Sequence, residues 1–152
     1  MIKDLTERAN EAIEAARSLS AANEEPCIGT GHLIYGLTLD HLSVGNRIFN
    51  DINIYPEMFR DHLKKLPRET EEGDSNGFHP LVKLALSRGK KARRKLGGGA
   101  TTTTDQLIVA LLSLREGNAY ECLREFSVEP GEISLAILEA LGFDLIDLPE
   151  WD

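Results

Sequence analysis

The sequence is poor in the features that mark several protein classes. It has two cysteines, Cys27 and Cys122, far apart and without a CxxC spacing. That excludes a disulfide scaffold and a cysteine-based metal knuckle. No apolar run approaches the ~18 residues needed to span a bilayer, and the N-terminal MIKDLTERAN lacks an apolar signal core. Both features point to a reduced, cytoplasmic compartment and to no membrane partner. His32, His41, His62 and His79 pair with no cysteine or acid at ligand spacing, so neither a metal nor another cofactor is expected. No segment assembles a nucleophile with its base. The expectation is a protein that is not an enzyme.

Charge is plentiful but unbalanced. The net charge is −8, and residues 1–77 hold 8 basic against 14 acidic side chains. From Lys83 to Lys95 there are seven cations and no anion, while residues 116–152 hold ten acids against Arg124. A globally acidic chain is repelled by nucleic acid and by anionic membranes unless one patch overrides the field.

The chain repeats itself. Gly29-Thr30-Gly31-His32-Leu33-Ile34-Tyr35-Gly36-Leu37 aligns with Thr103-Thr104-Asp105-Gln106-Leu107-Ile108-Val109-Ala110-Leu111 at an offset of 74, which also places Phe49 on Leu123 and Pro56 on Pro130. Upstream, Leu5, Ala9, Ala12 and Ile13 match Phe78, Val82, Ala85 and Leu86 at an offset of 73. One extra residue in the Gly97-Gly98-Gly99 loop accounts for the slip. Repeats of this kind set the whole architecture.

Each copy reads as four helices. In the first, Ala9, Ala12, Ile13, Ala16 and Leu19 recur at helical spacing behind a cap at Thr6 or Asp4. A second helix opens at Thr30, whose hydroxyl can accept an orphan N–H, and carries Leu33, Ile34 and Leu37. The third follows Ser43, with Val44, Ile48, Phe49 and Ile52. The fourth opens on Pro56, tolerated where the N–H has no helical partner, and buries Phe59, Leu63 and Leu66. In the second copy Pro80, Thr104, Asn118 and Pro130 take the corresponding places. No stretch alternates with period two, so no strand is expected. The fold class is all-α: a pseudo-twofold double repeat of a four-helix unit, about eight helices. The units are residues 1–66 and 78–142, joined by an acidic linker, 67–77, and followed by an acidic and apolar tail, 143–152, that docks on the body or serves as a short docking motif.

Leu5-Thr6-Glu7-Arg8-Ala9, Ile28-Gly29-Thr30-Gly31-His32-Leu33 with Tyr35-Gly36-Leu37, and Ile48-Phe49 leading to Ile54 together resemble the Clp N-terminal repeat. That family's pattern is roughly F-T-x-R-A, an alanine-rich helix, Φ-G-T-E-H-Φ-Φ-x-G-L, then V-L-x-x-L-G-V, with Φ apolar. The resemblance runs from about Leu5 to Leu141, better in the first copy than in the second. It implies a non-catalytic module that recruits protein substrates or adaptors to a Clp AAA+ chaperone or protease. The partners implied are those proteins and the Clp ATPase or protease subunits. Free-standing relatives are accessories of the Clp protease core, which is the alternative role. The chain has no GxxxxGK[ST] phosphate loop. Gly97-Gly98-Gly99 before Thr101 to Thr104 lacks both the lysine and the preceding strand that a phosphate loop needs.

Some members of that family bind phosphorylated arginine through the threonine of F-T-x-R-A and the glutamate of G-T-E-H. Carried over, the first copy keeps Thr6 but has Gly31 in place of the glutamate. The second has His79 for the threonine and Asp105 for the glutamate, a carboxylate on a shorter stem. The resemblance thus marks Thr6, Gly31, His32, His79 and Asp105 as the partner-binding positions, in the groove between the copies or near apolar residues at the second-helix starts. His32 and the aligned Gln106 read as hydrogen-bonding groups at those starts. On the first helix of the second copy, Lys90, Lys91, Arg94 and Lys95 form a broad basic face. It reads as solvated or as a protein-docking patch, because a nucleic-acid interface would interleave aromatic residues for stacking.

Overall fold

The computed structural model of the protein describes residues 1–69 and 77–151. Residues 70–76 of the expected linker, and Asp152 of the tail, lie outside the described residues. Among the described residues eight α-helices follow one another: α1 Glu7–Ala22, α2 Thr30–Thr38, α3 Val44–Asp51, α4 Pro56–Leu63, α5 Pro80–Lys95, α6 Thr104–Leu112, α7 Asn118–Glu125 and α8 Pro130–Leu141. A 3₁₀ turn, Leu145–Asp147, follows. The described residues form no strand, only isolated parallel bridges at Leu5–Thr102 and Ile28–Phe78.

The layering follows from side-chain polarity around each helix. Every residue of α6 is buried, as is every residue of α2 except Tyr35. Helices apolar all round belong at the centre. α1 turns Ala9, Ala12, Ile13, Ala16 and Leu19 onto α2, and α5 turns Val82, Ala85, Gly89 and Ala92 inward beside α6. The third helix of each copy then packs into the other copy. α3 lies against α8, and α7 lies against α2 and α4. Phe59 of α4 joins these layers, edge-on to Phe49 of α3 at 5.8 Å and to Phe126 after α7 at 5.5 Å. One apolar cluster therefore runs from Leu5 to Ile137 through both copies.

Prolines 56, 80 and 130 each occupy the first turn of their helix, and Thr6 caps α1 by accepting the Ala9 N–H at 3.1 Å. Two caps differ from the sequence expectation. Thr103, not Thr104, caps α6 by accepting the Gln106 N–H at 3.1 Å. Thr30 lies inside α2 behind Gly29, and its hydroxyl serves another helix. Ile52 is exposed because α3 ends before it, and Leu66 is only half-buried.

The twofold relation extends to backbone detail. Asn53 after α3 and Ser127 after α7, 74 apart, both take the left-handed conformation, as do Glu24 after α1 and Gly98 after α5. The segment 143–151 docks on the body. Leu148 and Trp151 pack on a small cluster of Ala92, Leu96 and Leu138, and Pro149 is buried.

Candidate functional site

The five positions marked by sequence meet across the copies, not within them. Thr6 donates its N–H to the Thr102 carbonyl at 3.0 Å, and Thr102 donates to Asp4 at 2.7 Å. The start of α1 is thereby held at the start of α6, three residues from Asp105. The mirrored contact joins His79 to Ile28: the His79 N–H donates to the Ile28 carbonyl at 2.9 Å, and the Ile28 N–H donates to Gly77 at 2.7 Å. So the turn that carries Thr6 lies beside the loop leading to Asp105, and the turn that carries His79 lies beside the loop leading to Gly31 and His32. His79 caps α5, its Nδ1 accepting the Leu81 N–H at 2.9 Å.

Each junction is built around one carboxylate. Asp105 is buried and accepts the N–H groups of Val44 at 3.0 Å and Gly45 at 2.7 Å, so it caps α3 from the other copy. Burial pushes its pKa above the ordinary carboxylate value, outweighing the lowering effect of those two N–H bonds. Gly45 gives the carboxylate room, because a Cβ would lie 2.5 Å from Ile108 Cδ1 and 3.2 Å from the carboxylate, so that Ile108 would have to shift.

At the other junction Gly31 contributes no carboxylate, and a side chain there would run into Leu63. Glu69, from the segment after α4, supplies one instead. Its carboxylate accepts the Thr30 hydroxyl at 2.9 and 3.0 Å and the Gly31 N–H at 3.0 Å. Thr30 Oγ1 in turn accepts the Ala119 N–H of α7 at 3.0 Å. Gly29 and Gly117 leave room for the carboxylate, since a Cβ on either would come within 3.0 Å of its oxygens or closer. Sequence reasoning missed Glu69. Its partners lie 38 and 39 residues away, and its own neighbours read as an acidic linker.

His32 is buried and doubly engaged. Its Nδ1 accepts the Gly29 N–H at 2.8 Å, which leaves the proton on Nε2 to donate to Glu25 Oε2 at 2.7 Å. Gln106 repeats this with its amide, accepting from Thr103 at 3.0 Å and donating to the Leu96 carbonyl at 2.9 Å. Both residues lock a helix start onto the preceding loop.

The second-helix starts are thus buried, and the exposed apolar surface lies elsewhere. Leu42 is 65% exposed and Leu39 is 39% exposed. They edge a groove of about 210 Å³ whose other walls include Arg8, Ala12, Ala15 and His41. Arg8 donates to Asp40 at 2.9 Å across one end, and the other Asp40 oxygen accepts the Leu42 N–H at 3.1 Å. Arg8 and Asp40 are therefore engaged with each other and with the Leu42 backbone, while the leucines face solvent.

The basic face of α5 is differentiated. Lys90 pairs with Asp4 at 3.5 Å, and Lys91 donates to the Trp151 carbonyl at 3.0 Å. Arg94 and Lys95 form no ion pair among the described residues. Both cysteines are buried, and burial pushes the Cys122 thiol up to about 12, so at neutral pH it is not a nucleophile. Among the described residues no group of three or more His, Cys, Asp or Glu could hold a metal ion, and no helix is long and apolar enough to cross a membrane.

Comparison with known proteins places this arrangement. The model of the Clp repeat (R) N-terminal domain matches residues 4–126. The N-terminal domain of the caseinolytic protease associated chaperone ClpD from Arabidopsis thaliana superposes with a TM-score of 0.76 at 18% identity, over 93% of this chain and 97% of that one. The Hsp104 N-terminal domain from Candida albicans superposes with a TM-score of 0.72 at 17% identity, over 99% of each chain. At these identities the likeness is one of fold. No curated protein sequence matches the chain.

Proposed function

The chain belongs to the Clp repeat N-terminal domain family, and from that premise we propose that it is a non-catalytic docking module recruiting protein substrates or adaptors to a Clp AAA+ machine. The observation that carries this reading is the groove of Leu39, Leu42, Arg8 and Asp40. It offers solvent-facing leucines beside polar groups already paired with one another. A partner's apolar side chain gains by leaving water there, and no buried polar group loses its partner. The module contributes no chemistry. It raises the effective concentration of a client near the machine.

Among the marked positions, Thr6 and Asp105 serve in this reading as the framework that sets the groove's walls, while Gly31, His32 and His79 hold the other junction. Asp105 holds the start of α3, directly after the loop that carries Leu39 to Leu42, and its junction is tied to α1, which carries Arg8. A guanidinium ligand would have to compete with the backbone N–H groups that already occupy both Asp105 oxygens.

Affinity capture from the host's own lysate tests the proposal, with wild type set beside a Leu39→Asp/Leu42→Asp variant. Both leucines are exposed, so the variant is expected to keep the wild-type fold. Clp ATPase or protease subunits, or their clients, are expected with wild type and reduced at least tenfold with the variant. Capture equal for both proteins, or none above a control lacking the chain, would overturn it.

A further inference from the structure

The outer end of α5 and the C-terminal segment enclose a second groove, of about 470 Å³. One wall is cationic: Lys91, Arg94 and Lys95. The other, from the C-terminal segment, is apolar at Ile146, Leu148 and Pro149 and ends in one acid, Glu150. Ile146 is 90% exposed, an unusual position for an isoleucine on a segment otherwise well docked by Leu148, Pro149 and Trp151. We propose that this groove binds an acidic peptide segment of a partner protein, one that carries a large apolar side chain next to its carboxylates.

Charge complementarity identifies the occupant. In a chain of net charge −8, the wall of α5 is a local cationic strip. Glu150 lines the same groove, but among the described residues neither it nor Asp144 or Asp147 forms an ion pair with the strip, whose three cations outnumber it. Arg94 and Lys95 are left to meet carboxylates from outside, while Ile146 and Leu148 on the facing wall accept an apolar side chain. The neighbouring stretch of the same helix shows the type of contact this face makes. Trp151 lies under the Arg88 guanidinium at 5.6 Å, and its carbonyl accepts from Lys91 at 3.0 Å.

A nucleic acid fits less well. The ring that could stack on a base is Trp151, which Arg88 covers, and the field of the whole chain opposes a polyanion. The proposal goes beyond the docking function above. The two grooves share no residue, so this one can fail without affecting the other.

The test uses the full chain and a fluorescein-labelled peptide of about ten residues alternating Glu and Leu, followed by anisotropy. Trp151 is the single tryptophan, so its emission follows an unlabelled copy of the peptide independently. Saturable binding is expected, with the Trp151 signal on the same curve. Arg94→Glu/Lys95→Glu is expected to weaken it about tenfold, and Ile146→Ser several-fold, with unchanged circular dichroism, since these side chains are exposed. The proposal is overturned if the peptide does not bind, if oligoglutamate without leucine binds as tightly, or if single-stranded DNA of equal charge binds more tightly. Binding that survives both variants unchanged also overturns it, as it would locate the peptide elsewhere.

Discussion

Asp105 and Glu69 do the same job by different routes. Each places one negative charge where two helix starts from different copies converge. Removing the Glu69 carboxylate leaves the Gly31 N–H and Thr30 hydroxyl without it, so Glu69→Ala is expected to cost about 2 kcal/mol. For a chain this size that is a fall in melting temperature of about 5 °C, read by calorimetry. Restoring a family-like glutamate at Gly31 gains nothing, because the new Cβ meets Leu63. Gly31→Glu is expected to destabilise by a similar amount and to confer no affinity for phosphoarginine in a calorimetric titration. Asp105 carries a pH signature. Its folded pKa is raised, so the folded state keeps the proton to higher pH than the unfolded chain does. Its contribution to stability therefore falls as pH rises from the ordinary carboxylate value through the raised one. That fall is expected in wild type and absent in Asp105→Asn, compared by denaturant unfolding between about pH 3 and 7. Helix-start residues such as Thr6 and Pro56 were legible in the sequence because their partners are within one turn. Glu69 was not, because nothing local marks a carboxylate whose hydrogen bonds close only when α4, α2 and α7 meet.

At the scale of elements, the two central helices solve the same packing problem with the glycine on opposite partners. In the first copy Gly36 of α2 lets the backbone of α1 approach, and a Cβ there would strike the Ala12 carbonyl oxygen. In the second copy the aligned residue is Ala110, fully buried, and the space is made on α5 by Gly89, where a Cβ would lie 2.7 Å from Leu107 Cδ2. Gly36→Ala is expected to cost about 3 kcal/mol, since backbone cannot rotate away. Ala110→Gly is expected to cost about 1 kcal/mol, the ordinary helix-interior penalty. Denaturant midpoints for the two variants separate these values. The helices were legible from their apolar period and their prolines. The caps at Gly29 and Thr103 were less so, because adjacent threonines at 101 to 104 and a glycine before Thr30 leave the first residue of the helix ambiguous by one.

The whole molecule is interlocked in a way the repeat alone does not reveal. The strand-like step before α1 bridges the loop before α6, and the step before α5 bridges the loop before α2. With α3 packed on α8 and α7 on α4, neither copy completes its core alone. A fragment of residues 1–66 is expected to be largely unfolded by far-ultraviolet circular dichroism, although it contains four complete helices. The apolar pattern established an all-α double repeat, yet it could not say that the copies exchange their third helices. Nor could it place the exposed leucines at 39 and 42, after the second helix and away from its start. That placement locates the docking function proposed for the Leu39–Leu42 groove, and site-specific photo-cross-linking tests it most directly. A photoreactive residue at His41, within the groove, is compared with the same residue at the exposed Glu132 of α8 in the host's lysate. The account predicts protein adducts from position 41, led by Clp subunits or their clients, and few from position 132. Equal adducts from both positions, or none from position 41, would contradict it.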